Sequence, residues 1–349
     1  MSASQSMSLG STNAGFKQMI LTLSKVWAWV FLALLIVFFT TSVSITSEGS
    51  VNFLTVRTSQ NILVAITPVL LMGLGQTFVI ISAGIDLSVG WVMGLSSVVT
   101  ALTARDLAGG GMEPYTAIFI GMAAGILVAA IFGFINGIII AKLKVPPFIV
   151  TLGMSFIARG TALLVGGGMT IGSLPPQFRI LGNESLLYLV RGGEKAGIYL
   201  LSAPELSREE LRSLDRIFSW PVVITFFVVL LAMFLLRRTR FGRHTLAIGG
   251  NAEASLRAGI PVDRHTIMLY IMSAATSGIA GALHTARFSG GDARAGDPLL
   301  LGSIAAVIIG GVSLFGGSGT VIGTVIGALI IAVLQTGLVM LAVDPFWQF

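Results

Sequence analysis

The chain has 349 residues, of which 54% are hydrophobic and only 10% charged, with 43 glycines and no cysteine. This composition excludes disulfides and thiol catalysis, and it is that of an all-α protein, a polytopic transmembrane helical bundle. The formal net charge of +6 does not argue for nucleic acid, because the basic residues cluster between apolar runs, where they set membrane orientation.

Lys17 and Lys25 precede the first apolar run, so residues 1–25 read as a cytoplasmic N-terminal tail and residues 26–349 as the transmembrane part. The first span covers residues 26–45. After an outer segment at 46–58, the second span, 60–82, contains Pro68, Gly73 and Gly75. The stretch SAGIDLSVG then interrupts the hydrophobic pattern. Asp86 within it is costly in hydrocarbon and belongs at an interface or in a wet cavity. Gly84 and Gly90 permit a break there, and Asp86 or Ser88 can cap the helix that follows. The third span runs to about residue 104 and an external loop to 114. The fourth, 115–141, carries Gly121, Gly125, Gly133 and Gly137, a small-residue packing stripe, with Asn136 beside it in need of a partner.

Lys142 and Lys144 mark a cytoplasmic exit, and Pro146-Pro147 prevents the helix from continuing. Arg159 in the fifth span, 148–165, is either a snorkelling side chain near the outer interface or a functional group. Residues 166–219 form a long external loop. Within it Ser207-Arg-Glu-Glu210 has the form of a capping box and predicts an amphipathic helix, with Leu211, Leu214, Ile217 and Phe218 along one face. The sixth span, 220–236, ends at Arg237-Arg238.

Residues 237–266 form a cytoplasmic loop that also carries Arg240 and Arg243. A short capped helix is predicted inside it. Asn251 is the N-cap, Glu253 and Arg257 stand four apart in the favourable order, Gly259 suits the left-handed position after the last turn, and Pro261 ends the helix. Held on the basic side of a membrane, such a helix suits the grip of a soluble partner; a plain solvated connection is the other reading. A seventh span follows at 267–287, then an external segment at 288–298. Two more spans, 299–315 and 320–341, are joined by Gly316–Gly319, for about nine in all. Residues 80–90 align without gaps on 307–317, with Gly84/Gly311, Leu87/Leu314 and Gly90/Gly317 identical, as in transporters built on repeated, glycine-interrupted helices. Gly311 and Ser313 of the second copy join Gln76, Gly84, Asp86, Ser88, Asn136 and Arg159 as candidate lining of a solute pathway. The scarcity of charge within the spans favours a small neutral hydroxylated solute.

No Gly-x4-Gly-Lys-Ser/Thr phosphate cradle occurs, nor a catalytic Ser/His/Asp set or a metal-ligand cluster, so no catalytic residue, metal or cofactor is expected of the chain itself. Four segments carry a family resemblance: LGQTFVIISAGIDLSVG (74–90), GFINGIIIAKLKVPPFIVTLGM (133–154), NAEASLRAGIP (251–261) and IAAVIIGGVSLFGGSGTVIGTVIGALI (304–330). They resemble the ribose/xylose-type monosaccharide permease subunits of ABC importers. Glu253, Ala254 and Gly259 match that family's coupling loop, while Ser255 stands where a second Ala is usual. The resemblance implies several things: a bacterial inner-membrane location, ATP bound only by separate ATP-binding subunits that grip Asn251, Glu253, Ala254, Arg257 and Gly259, an external solute-binding protein, a second permease subunit, and a pentose-like solute. It also implies a tenth helix beyond the nine. The family's acidic residue before Ala-Ile-Ala-Ala-Val is absent, Leu301-Gly302-Ser303-Ile304 standing there instead. A branched-chain amino-acid-type ABC permease and an ion-coupled secondary carrier are the alternative readings.

Overall fold

The computed structural model describes residues 5–191, 195–207, 213–344 and 347. Twelve helices are described: α1 (Gln5–Thr46), α2 (Val56–Ile81), α3 (Val89–Gly109), α4 (Pro114–Leu143), α5 (Pro147–Val165), α6 (Gln177–Asn183), α7 (Trp220–Arg238), α8 (Arg240–Gly250), α9 (Ala252–Arg257), α10 (Val262–Phe288), α11 (Leu300–Ile309) and α12 (Val321–Met340). Among the described residues, seven of them are long and apolar enough to cross a membrane. α1 starts at Gln5, so part of the expected N-terminal tail is continuous with the first helix.

α2, α3, α4 and α10 form the centre, with α5, α7, α1 and the α11–α12 pair around them. The glycine stripe of α4 explains how close the central helices come. A side chain at Gly121 or Gly125 would collide with α3, and one at Gly133 or Gly137 with the backbone of α10. Pro68 lies inside α2 and cannot donate to the Val64 carbonyl. The Thr67 hydroxyl donates to that oxygen instead, at 2.9 Å, so the interior proline leaves no bare acceptor.

The crossing expected at 299–315 is a helix over only part of its length. α11 has ten residues, about 15 Å at ~1.5 Å per residue, which is half a bilayer core. The chain before it is irregular and runs antiparallel to α3: Gly291 lies against Ser97 and Ala101, Ala293 against Gly94, and Gly296 against Gly90. The Asp292 N–H donates to the Ser97 hydroxyl at 3.1 Å, and Gly291 pairs with Ile171. Gly291, Ala293, Ala295 and Gly296 are buried against the bundle, whereas Arg294, Asp297 and Pro298 are exposed.

The external region also departs from expectation. Residues 208–212 lie outside the described residues, but Leu214, Ile217 and Phe218 belong to a strand, not to a helix face. β1 (Ser185–Val190), β2 (Gly197–Leu200) and β3 (Leu214–Ser219) form an antiparallel sheet of order β2-β1-β3. The alternation of β3 and the Leu- and Tyr-rich run of β1 suit a half-buried sheet better than a helix, and pairing on both edges of β1 decides the matter. Tyr188 is buried in β1, its hydroxyl donating to the Glu184 carboxylate and accepting from the Ser185 N–H. Burial, with Glu184 beside it, pushes that hydroxyl above its ordinary pKa.

Candidate translocation and coupling site

The loop between α7 and α10 is helical almost throughout. Thr239 caps α8, its hydroxyl accepting from the Gly242 N–H, and an amphipathic pattern buries Gly242, Thr245 and Ile248. Asn251 caps α9, its side-chain oxygen accepting from the Ala254 N–H at 2.8 Å. Glu253 and Arg257 pair at 2.6 Å on its exposed face. Gly259 takes φ +81°, and the Ile260 N–H bonds back to the Ser255 carbonyl, closing the helix. Only Ser255 of α9 is buried; Leu256 is 62% exposed. The helix therefore projects almost its whole surface outward. Lys142 and Lys144 pair with Asp263 at the same end, at 3.1 and 2.7 Å.

α8 connects α9 to the bundle. Phe241 packs on Phe78 of α2 and on His265 of α10, and the Thr245 hydroxyl bonds the His265 ring at 2.9 Å. Gly249 sits directly over the end of α2, where a methyl group would overlap the Ile81 carbonyl oxygen and the Gly317 nitrogen. That carbonyl accepts from the Gly317 N–H at 2.8 Å, tying the end of α2 to the α11–α12 connection. Both helices close the same way. Ala83 (φ +64°) and Gly311 (φ +84°) take left-handed positions, and the next N–H in each case bonds five residues back, Gly84 to Val79 and Val312 to Val307. The repeated segments thus meet at one junction, but their structural equivalence is shifted by one residue from the ungapped alignment. Ala83, not Gly84, corresponds to Gly311.

Beyond that break lies a buried polar cluster. Asp86 is fully buried. One carboxylate oxygen accepts from the Ser88 N–H at 3.0 Å and the Ser88 hydroxyl at 2.6 Å, and the other from the Ser273 hydroxyl of α10 at 2.8 Å. Asn136 of α4 donates to the Ser88 hydroxyl at 3.0 Å. Among the described residues no cation pairs with Asp86, so these donors carry the cost of its burial. The Tyr270 hydroxyl and the Asn136 side-chain oxygen are buried there with no partner among the described residues. The bonds from Ser273 and Asn136 join the break to α10 and α4, so the cluster fixes where α3 starts relative to those helices.

The profile of the family described as "Branched-chain amino acid transport system / permease component" matches residues 58–348. The xylose transport system permease protein of Haemophilus influenzae is 34% identical over 338 residues, 88% of each chain. The fructose import permease protein of Rhizobium meliloti is 35% identical over 299 residues, covering 85% of this chain and 75% of the relative. The chain belongs to the sugar permease family of ABC importers. The ribose import permease protein of Bacillus subtilis is 36% identical over 280 residues, 80% of this permease and 76% of the relative. No solved structure matches the permease.

Not all of the pathway candidates in the permease lie together. Gln76 is buried on α2, its amide nitrogen 3.4 Å from the Ser303 hydroxyl of α11. Gly84, Asp86, Ser88 and Asn136 form or border the buried cluster, and a side chain at Gly84 would meet the Tyr270 hydroxyl. Arg159 stands apart on the exposed side of α5, its guanidinium 5.0 Å from the centre of the Trp91 ring. Gly311 and Ser313 lie in the α11–α12 connection, where the Ser313 hydroxyl accepts from the Phe315 N–H at 3.3 Å. Sequence reasoning missed Ser273, Tyr270 and Ser303. The available signal was the Ser273/Ser277 pair on α10, four residues apart and so on one face; the Ser277 hydroxyl bonds the Val89 carbonyl at the start of α3.

Proposed function

We propose that this protein is the membrane-spanning permease of a binding-protein-dependent importer that passes a monosaccharide across the bacterial inner membrane. Separate ATPase subunits bind the ATP and grip α9; a second permease subunit completes the pore and an external binding protein delivers the sugar. The N-terminus lies in the cytoplasm with α9, a reading supported by the basic residues Arg237, Arg238, Arg240, Arg243, Lys142 and Lys144 at the α9 end. Gln76, Gly84, Asp86, Ser88, Asn136, Gly311 and Ser313 border the part of the bundle that rearranges, and Arg159 anchors α5 from its flank.

The observation that carries this reading is the seating of Gly249. The outward-facing α9 follows directly on α8, and Gly249 of α8 rests on the hydrogen bond that joins the end of α2 to the α11–α12 connection. A tilt of α9 therefore acts on the junction next to the Asp86 cluster. The chain has no cysteine, so Ala254→Cys provides a single attachment point. Cross-linking from that cysteine is expected to capture an ATP-binding subunit, with the yield changing between nucleotide-free and ATP-bound complexes. Failure to capture such a subunit in the assembled, transporting complex would overturn the coupling role. Loss of uptake on adding a proton uncoupler at constant ATP would instead identify an ion-coupled carrier.

A further inference from the structure

At the end of the bundle opposite α9, Arg216 of β3 and Arg287 of α10 line one cavity of about 160 Å³. Neither guanidinium pairs with a carboxylate among the described residues, and no carboxylate lines the cavity. Glu184, just before the lining residue Ser185, is engaged by the Tyr188 hydroxyl. Arg216 gives one donor to the Asn183 carbonyl at 3.0 Å and keeps the rest. Two like charges that share a cavity repel one another, and an anion between them reverses that term. The planar, forked guanidinium matches the oxygens of a phosphate group.

The cavity continues into an apolar groove, for Leu63 of α2 and Val222 of α7 line both. The groove, about 300 Å³, descends between residues 63–70 of α2, 222–233 of α7 and 322–329 of α12. Thr67 and Thr225 bond their hydroxyls to the Val64 and Pro221 carbonyls of their own helices, at 2.9 and 2.7 Å, and no polar surface remains in the groove. From Val222 to Met233 it runs about 16 Å at ~1.5 Å per residue. That is the depth of one leaflet of a ~30 Å hydrocarbon core. Its α7 wall belongs to an outward-facing surface, with Phe226, Phe227 and Leu231 each more than half exposed. An inorganic anion would satisfy the arginines and leave the groove empty. A neutral lipid would fill the groove and leave two guanidiniums bare. A molecule with an anionic head and an aliphatic tail answers to both.

We infer that the arginine cavity and the groove form one site, which holds a single anionic glycerophospholipid of the leaflet on the side away from α9. Its phosphate lies between Arg216 and Arg287, and one acyl chain descends between α2, α7 and α12. The bound lipid ties the external sheet to the end of α10 and fills the space between the peripheral α7 and the central α2. This requires only that the chain lies in a bilayer and is independent of the solute it passes.

Two measurements test the site. The delipidated full chain in detergent is titrated with phosphatidylglycerol or phosphatidylcholine and followed by native mass spectrometry. One phosphatidylglycerol is expected to stay bound where phosphatidylcholine dissociates. Its affinity is expected to fall roughly tenfold or more in Arg216→Gln and in Arg287→Gln, the effect of a lost charge-assisted hydrogen bond. In nanodiscs, phosphatidylglycerol carrying a diazirine at the end of one acyl chain is expected to label residues 229–233 of α7 or 66–70 of α2. That label is expected to disappear in Val229→Trp, which fills the groove and leaves both arginines in place. Equal retention of the two lipids, or equal affinity in the wild type and both arginine variants, would overturn the site, as would label that falls outside the groove. Release of the bound lipid by inorganic phosphate would reassign the arginines to a free anion. Cross-linking from Val229→Cys to a helix of another protein chain in the assembled complex, in place of lipid label, would give the groove to a protein partner and overturn the lipid.

Discussion

The two ends of this protein are built on opposite principles. At the α9 end, backbone lies on backbone: Gly249 leaves no room above the Ile81 carbonyl, and the helix ends are closed by left-handed caps. At the sheet end, cavities open between elements and several buried polar atoms lack partners among the described residues. Close-packed backbone transmits displacement because it cannot be compressed. A roomy, under-paired wall receives ligands because water or solute must complete it. The contrast separates a close-packed end, on which the proposed coupling acts, from an open one.

The strongest way to break the comparison is Gly249→Leu. Overpacking of this kind costs about 1–3 kcal/mol, and here it wedges α8 away from the α2–α11 junction. ATP-driven uptake should fall more than roughly tenfold while ATP hydrolysis by the assembled complex persists uncoupled; intact uptake would separate Gly249 from transmission. Next in size is Asp86→Ala, which strips acceptors from Ser88 and Ser273 and should cost about 1–3 kcal/mol, read as a lowered Tm. Asp86→Asn keeps the shape and one acceptor oxygen and should lose less. A smaller effect is expected for Asn251→Ala: loss of the cap costs about 1 kcal/mol, visible as faster amide exchange across residues 252–258 and weaker ATPase coupling, with the global Tm unchanged. The least is expected for Glu253→Gln. Its pair with Arg257 is exposed, such pairs contribute at most about 0.5 kcal/mol, and neither Tm nor exchange at the sheet end should move.

What the sequence disclosed follows the same division. The α9 helix was legible because its determinants are local: Asn251 caps, Gly259 turns and Pro261 stops within a few residues of one another. Of the nine expected spans, seven correspond, among the described residues, to helices long and apolar enough to cross a membrane, while α3 and α11 do not. The sheet was not, because the capping-box pattern at 207–210 is a local signal, whereas β3 forms by pairing with residues about thirty positions earlier in the chain. The truncation of α11 was hidden because hydropathy registers burial but not whether the backbone is helical. Asp86 could be recognised as anomalous, but not its partner Ser273, which is 187 positions away. The one-residue shift between the repeated segments shows that identical glycines need not occupy equivalent backbone conformations.

The irregular chain ahead of α11 has a consequence for biogenesis. Its Asp292 N–H donates to the Ser97 hydroxyl of α3, its Gly291 pairs with Ile171, and Gly296 lies against Gly90, so its conformation depends on distant parts of the chain. The segment completes its packing only against α3, synthesised some two hundred residues earlier.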